Sequence, residues 1–172
     1  MKTGVTTVPG RSFELMRWMT AERNRGGPFS TELLLAIFWD RSLFVNARQE
    51  DGAGFGRLEP AEIEALRLDA GMDVTAQSIL LSDLLSVDAV IAHLRLLARR
   101  TGSVDAALAA FAGSEQVAGR WRSAAVALKR AAGAEEEIVR ALSLARPFPT
   151  GEAARRSLRD RLFPHQEWLL SA

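Results

Sequence analysis

The sequence predicts a mainly α fold, a helical domain with a short glycine-rich loop or β-hairpin set into it and a helical extension at the C-terminus. Three observations carry this. Apolar residues recur at helical spacing along most of the chain, as in Leu33, Leu34, Ile37 and Phe38. Serine or proline stands where the apolar runs begin, at Ser30, Pro60 and Ser103. Gly52, Gly54 and Gly56, spaced two apart, interrupt the pattern with a polar stretch suited to tight turns and close backbone approach. The 172 residues read as a single domain: an N-terminal helix within 1–28, a core over 29–145, and a basic helix with an apolar tail over 146–172.

Each element has its own signal. Residues 12–23 form an amphipathic helix with Phe13, Met16 and either Trp18 or Met19 inward, ended by the run from Asn24 to Pro28. Ser30 caps the next helix, and Phe29 before it can staple onto Leu34. That helix ends at Asp40, where apolar chain gives way to polar. After the glycine loop, Pro60 suits a first helical turn, Glu59 and Glu62 suit its positive end, Ile63 and Leu66 face inward, and Gly71 stops it. Ser86 with Asp88, and Ser103 with Asp105, mark two further starts separated by Gly102; the first gives a helix over about 87–101 with Val90, Ile91, Leu94 and Leu97 apolar. An alanine-rich helix follows, then one from Gln116 to Arg130 carrying Val117, Trp121, Val126 and Leu128, and another from Gly133 to about Ala145. Arg146-Pro147-Phe148-Pro149 is a boundary, beyond which lie a basic helix from Glu152 to Arg161 and the tail residues Phe163, Trp168, Leu169 and Leu170.

Composition narrows the function classes. With 48% hydrophobic and 25% charged residues the chain has material for a real core. Its 22 basic residues are balanced by 21 acidic ones, a net charge of +1, which argues against a nucleic-acid binder working through global electrostatics. The absence of cysteine excludes disulfides, thiolate metal sites and a cysteine nucleophile. The start, MKTGVTTVPGRSFELMRW, holds no apolar run of signal-peptide length, and no run is long enough to span a bilayer. The expectation is cytoplasmic synthesis with delivery, if any, by a non-classical route, or a chain that begins after a removed leader. His93 and His165 are lone histidines without metal spacing, and no P-loop, dinucleotide fingerprint, serine elbow or zinc motif appears. Neither a cofactor nor a metal is expected.

The stretch from Leu33 to Pro60 carries the functional signal. Asp40-Arg41-Ser42-Leu43-Phe44-Val45-Asn46-Ala47 is followed by Gly54-Phe55-Gly56-Arg57-Leu58-Glu59-Pro60. This resembles the lysozyme-like lytic transglycosylases, in which a helix ends in Glu-Ser-x-Phe-x-Pro-x-Ala before Gly-x-x-Gln and a proline. A second block agrees: Leu94-Arg95-Leu96-Leu97-Ala98-Arg99-Arg100-Thr101-Gly102, then Ala107-Leu108-Ala109-Ala110-Phe111-Ala112-Gly113, against an apolar helix followed by Ala-Leu-Ala-Ala-Tyr-Asn-Ala-Gly. The resemblance covers about residues 29–130. It implies a lysozyme-like fold with the hairpin at the cleft, Asp40 at the position of the general acid, and Ser42, Phe55, Arg57 and Phe111 along the substrate groove. It also exposes four departures: Asp40 replaces Glu, Arg57 replaces Gln, Phe111 replaces Tyr and Ala112 replaces Asn.

The departures decide the expected chemistry. Glycoside cleavage needs a carboxylic acid to protonate the leaving oxygen; the family manages with one. Asp is shorter than Glu by one carbon–carbon bond, about 1.5 Å, and a misplacement of about 1 Å costs on the order of a hundredfold in rate. An arginine beside Asp40 would favour its charged form, the opposite of what a general acid needs. Asp40 is therefore read in two ways, as a helix-closing residue paired with Arg57 or Arg41, or as the acid. Glu50 and Asp51, where some lysozymes place a second carboxylate, are either a second catalytic group or solvated charges beside a turn glycine. Two functions follow: a lysozyme-like domain with lost or weakened catalysis, serving as a peptidoglycan-binding or structural module of a phage-like, injection or secretion assembly, and an active lytic transglycosylase or muramidase using Asp40. The partners expected are peptidoglycan strands and, through 146–172, protein subunits, with the arginines 155, 156, 159 and 161 either solvated or touching an anionic polymer.

Overall fold

Nine helices and one two-stranded hairpin make up residues 10–50 and 52–164, the part of the chain that the computed structural model describes. In order these are α1 (Phe13–Arg23), α2 (Thr31–Ser42), β1 (Arg48–Gln49), β2 (Gly52–Ala53), α3 (Pro60–Asp69), α4 (Ala76–Leu81), α5 (Asp83–Thr101), α6 (Val104–Ala112), α7 (Glu115–Arg130), α8 (Glu135–Ala145) and α9 (Glu152–Leu162). The strands pair antiparallel, Arg48 opposite Ala53 and Gln49 opposite Gly52. Among the described residues no helix is long and apolar enough to cross a membrane.

Serine caps set most helix starts. Ser12, Ser30, Ser82, Ser103 and Ser114 each accept the backbone N–H three residues on, satisfying a donor that a helix start leaves open. α3 begins with Pro60, and the Glu62 carboxylate accepts the Glu59 N–H at 2.7 Å. Two expected boundaries move. The helix expected from about residue 87 starts at Asp83, because Ser82 is the cap, while Ser86 is buried inside the helix and its hydroxyl accepts the Phe55 N–H at 2.8 Å. Asp40 does not end α2. The helix runs on to Ser42 and closes on Leu43 in the left-handed conformation. The short helix α4, which has only six residues, carried no signal in the sequence reading.

α2 is the central strut. From Leu33 to Trp39 every residue is buried, because α1, α7 and α8 all pack against this helix. An amphipathic stripe is not enough for a helix covered on several sides. The hairpin is held as tightly. A Cβ on Gly52 would lie 2.5 Å from the Arg57 carbonyl oxygen, and one on Gly54, at φ +79°, would meet the Ser86 hydroxyl. The glycines thus allow close approach to α5 and to the loop's own return. Asn46 ties the hairpin base down by donating to the Ile79 carbonyl (3.1 Å) and to Asp83 (3.0 Å), and Asp83 also takes Arg11.

The extension after Ala145 folds back on α2. Trp39 donates its indole N–H to the Arg146 carbonyl (3.0 Å) and stacks on Phe148 with ring centres 4.8 Å apart. Arg146 in turn donates to the Asp40 carbonyl at 2.9 Å. In α9 three of the four arginines have distinct partners. Arg161 donates to the carbonyls of Leu43 (2.7 Å) and Arg11 (3.2 Å), closing the end of α2; Arg159 pairs with Glu136, and Arg156 with Glu152 at 2.9 Å. Phe163 is buried against Phe13. Of the tail residues named above, Trp168, Leu169 and Leu170 lie outside the described residues, as does His165.

Candidate functional site

Four helices converge beside the end of α2. That helix delivers Asp40 and Arg41, α3 delivers Glu62, α5 His93, α6 Phe111 and α7 Trp121. Each side chain is placed by a helix whose apolar residues are fixed elsewhere in the core.

Asp40 is half-buried, and its Oδ2 accepts the indole N–H of Trp121 at 2.7 Å. Trp121 itself is fully buried, so the indole is aimed by packing. A buried tryptophan needs an acceptor for its N–H, and here the acceptor is the candidate acid. Arg41 lies over the aromatic floor, its guanidinium carbon 4.6 Å from the Phe111 ring centre and 5.5 Å from that of Trp121. It also donates to the Phe111 carbonyl. Burial draws the Arg41 pKa down, against the pull of Glu62 and Asp40, but the group remains cationic.

Glu62 is the second carboxylate of the cluster. Its Oε1 lies 3.2 Å from Nε2 of His93, whose ring meets Phe111 edge-on at 5.5 Å. His93 is buried and its Nδ1 has no hydrogen-bond partner among the described residues. Burial alone would raise the Glu62 pKa, but the His93 ring, the Glu59 N–H and the charge of Arg41 together hold it below the usual carboxylate range.

Arg57 makes no ion pair with Asp40. It pairs with Glu50 at 2.6 Å, and both residues have positive φ, +50° and +52°. Neither pairing of Asp40 considered from sequence, with Arg57 or with Arg41, forms an ion pair; Arg41 is near enough to feel the charge of Asp40, and Arg146 donates to the Asp40 carbonyl at 2.9 Å. Glu50 is exposed and Asp51 lies outside the described residues. Ser42, Phe55 and Phe111 are core residues: the Ser42 hydroxyl donates to the Phe38 carbonyl at 2.9 Å, Phe55 packs on Phe38 with ring centres 6.0 Å apart, and Phe111 supports Arg41. The surface presented here therefore consists of charged groups, Asp40, Arg41, Arg57, Glu59 and Glu62, over an aromatic floor.

Sequence reasoning missed that Trp121, Glu62 and His93 belong to this cluster, since each was read within its own helix. The partners are 81 residues apart for Asp40 and Trp121, beyond any local pattern. One signal was available: a tryptophan on the inner face of a helix must find an acceptor.

No family model matches the chain, and neither a curated protein nor a solved structure matches it.

The Glu62 environment predicts a pH dependence. A carboxyl whose folded pKa is depressed adds stability above its unfolded value, about 4.3, and loses it as pH falls through the folded value. Asp83, held low by Arg11 and Asn46 against its burial, acts in the same sense. Urea midpoints should stay level in this respect down to about pH 5 and fall below it. Glu62→Gln should flatten part of that fall while costing on the order of 1 kcal/mol at neutral pH. An unchanged acid slope in the variant would remove Glu62 from the account.

Proposed function

We propose that this chain is a lysozyme-like module that has lost or weakened glycoside cleavage and serves as a peptidoglycan-binding or structural part of a larger assembly of the phage-like, injection or secretion kind. The observation that carries the reading is the Trp121–Asp40 hydrogen bond. The one carboxylate at the position of the family's acid is shortened by a carbon and committed to a buried donor, and such a group is poorly placed to follow a glycosidic oxygen through protonation. Phe111 offers no hydroxyl, and Arg57 is held by Glu50. What is left suits recognition: charged groups with hydrogen-bonding capacity over a fixed aromatic base.

The second reading is an active lytic transglycosylase or muramidase with Asp40 as general acid. It is favoured by Asp40 being half-exposed, with only Oδ2 engaged among the described residues. The two are separated by incubating purified peptidoglycan with the wild-type protein and with Asp40→Ala, reading the soluble products by mass spectrometry and the protein retained on the insoluble glycan. The proposal expects no products from either protein and retention of both. Anhydro-muropeptides released by the wild type alone would establish the second reading, and reducing-end products would implicate Glu50 or Asp51. With neither products nor retention, the glycan role is withdrawn.

A further inference from the structure

The end of α5, the start of α6 and the turn after α1 enclose a pocket of about 430 Å³, lined by Arg95, Ala98, Arg99, Ser103, Val104 and Pro28 among others. That volume suits a small molecule. Arg95 is half-buried, and a Cβ on Gly27 would lie 2.7 Å from its Nη2, so the guanidinium rests against the turn instead of swinging in solvent. Arg95 follows His93 by two residues, about 200° further round the helix at about 100° per residue. The pocket therefore opens on the far side of α5 from the Asp40 cluster.

The charge in this pocket is unbalanced. Seven arginines lie on and around α1 and on α5, at positions 11, 17, 23, 25, 95, 99 and 100. Five of them meet carboxylates: Arg11 takes Asp83, Arg17 Glu14, Arg23 Asp88, Arg25 Glu22 and Arg100 Asp69. Arg95 and Arg99 have no such partner among the described residues, and they are the two that line the pocket, which no carboxylate lines. The acidic groups nearest in sequence are engaged elsewhere, Asp88 by Arg23 and Asp105 by Arg122 at 3.5 Å. Like charges four residues apart on a helix have Cβ atoms about 6 Å apart and repel. An anion set between the two guanidiniums would remove that repulsion.

We propose that this pocket binds a soluble phosphomonoester, its phosphate bridging Arg95 and Arg99 and its apolar body resting on Pro28, Ala98 and Val104. A phosphomonoester carries nearly two charges at neutral pH and three acceptor oxygens, enough to serve two guanidiniums at once. A carboxylate carries one charge, and a single arginine fork fills it. The site stands whether or not the Asp40 cluster holds glycan.

The test titrates the full chain with phenyl phosphate, inorganic phosphate and benzoate, followed by amide shifts in two-dimensional NMR. Saturable binding of phenyl phosphate is expected at about pH 7.5, with shifts centred on residues 95–104, about tenfold or more tighter than benzoate and tighter than inorganic phosphate. Arg95→Gln and Arg99→Gln should each weaken it about tenfold, while Arg100→Gln, one residue on but paired with Asp69, leaves it unchanged. Lowering the pH to about 5 removes most of the second phosphate charge and should weaken binding several-fold. The same spectra show that each variant is folded. No saturable binding of phenyl phosphate, benzoate binding as tightly, or Arg100→Gln costing as much as Arg99→Gln would overturn the proposal, the last by reducing it to diffuse attraction. Binding to phosphatidic acid vesicles without binding of phenyl phosphate would move the anion to a lipid surface and overturn it equally.

Discussion

Trp121→Ala is expected to lower the unfolding free energy by about 3–5 kcal/mol, the range for removing a fully buried large aromatic. The side chain is completely covered, contacts Phe111 with ring centres 5.9 Å apart, and forms part of the floor beneath Arg41. Its removal opens a cavity, leaves the half-buried Asp40 carboxylate without its donor and takes one of two rings from Arg41. Trp121→Phe separates these effects. It keeps most of the volume and loses the N–H, so about 1–3 kcal/mol should go with the unsatisfied acceptor. Denaturant unfolding of Trp121→Phe, Asp40→Ala and the double variant checks this, because residues in one hydrogen bond give non-additive costs. Additive costs, or a neutral Trp121→Phe, would mean that the bond does not fix Asp40, and the main argument for lost catalysis would fall with it.

Gly52→Ala should be the most damaging small change in the hairpin. The new methyl would lie 2.5 Å from the Arg57 carbonyl oxygen and 2.7 Å from its carbon, backbone atoms that cannot swing aside as a side chain would. Overpacking of this kind costs about 1–3 kcal/mol and at times more. Relief requires parting the hairpin from its return, where Ala53 and Leu58 exchange hydrogen bonds at 3.0 and 2.9 Å. Gly71→Ala is the control: φ there is +64° but nothing lies within 4 Å of the added atom, so only the conformational penalty of about 1–2 kcal/mol applies. Thermal melts of both variants, with glycan retention measured alongside, test the ordering. Equal losses would show that the loop yields and that the close approach at Gly52 is not what shapes it.

The helical architecture was legible because its signals are local. Ser30 and Ser103 accept N–H groups three residues away, and Pro60 fixes a first turn; such contacts reach no further than one turn of chain. The apolar positions Phe13, Met16, Ile63, Leu66, Val90 and Leu94 went inside as their spacing required. The choice between Trp18 and Met19 fell to Met19, with Trp18 left 58% exposed, and only the packing of α2 and α5 against α1 could make it. The start of α5 was misplaced for a related reason. Ser82 and Ser86 are both good caps, and Ser86 is withdrawn from competition by a hydrogen bond to Phe55 across the fold.

The candidate site divides along the same line. Asp40, Arg57, Phe111 and the glycine loop were singled out in the sequence because each motif lies within a short stretch of chain. Their partners were not. Arg57 goes to Glu50, Asp40 to Trp121, and Glu62 to His93, the last two pairs brought together by helices packing on one another. Helix ends, inward faces and the hairpin turns are properties of neighbouring residues, set by backbone hydrogen bonds, periodicity and glycine's freedom. Which carboxylate meets which donor, and whether an aromatic lines a groove or fills the core, depends on how those helices pack. Burial then weighs on the outcome, because a buried polar group left without a partner is costly and most take one from whatever the packing brings within about 3 Å.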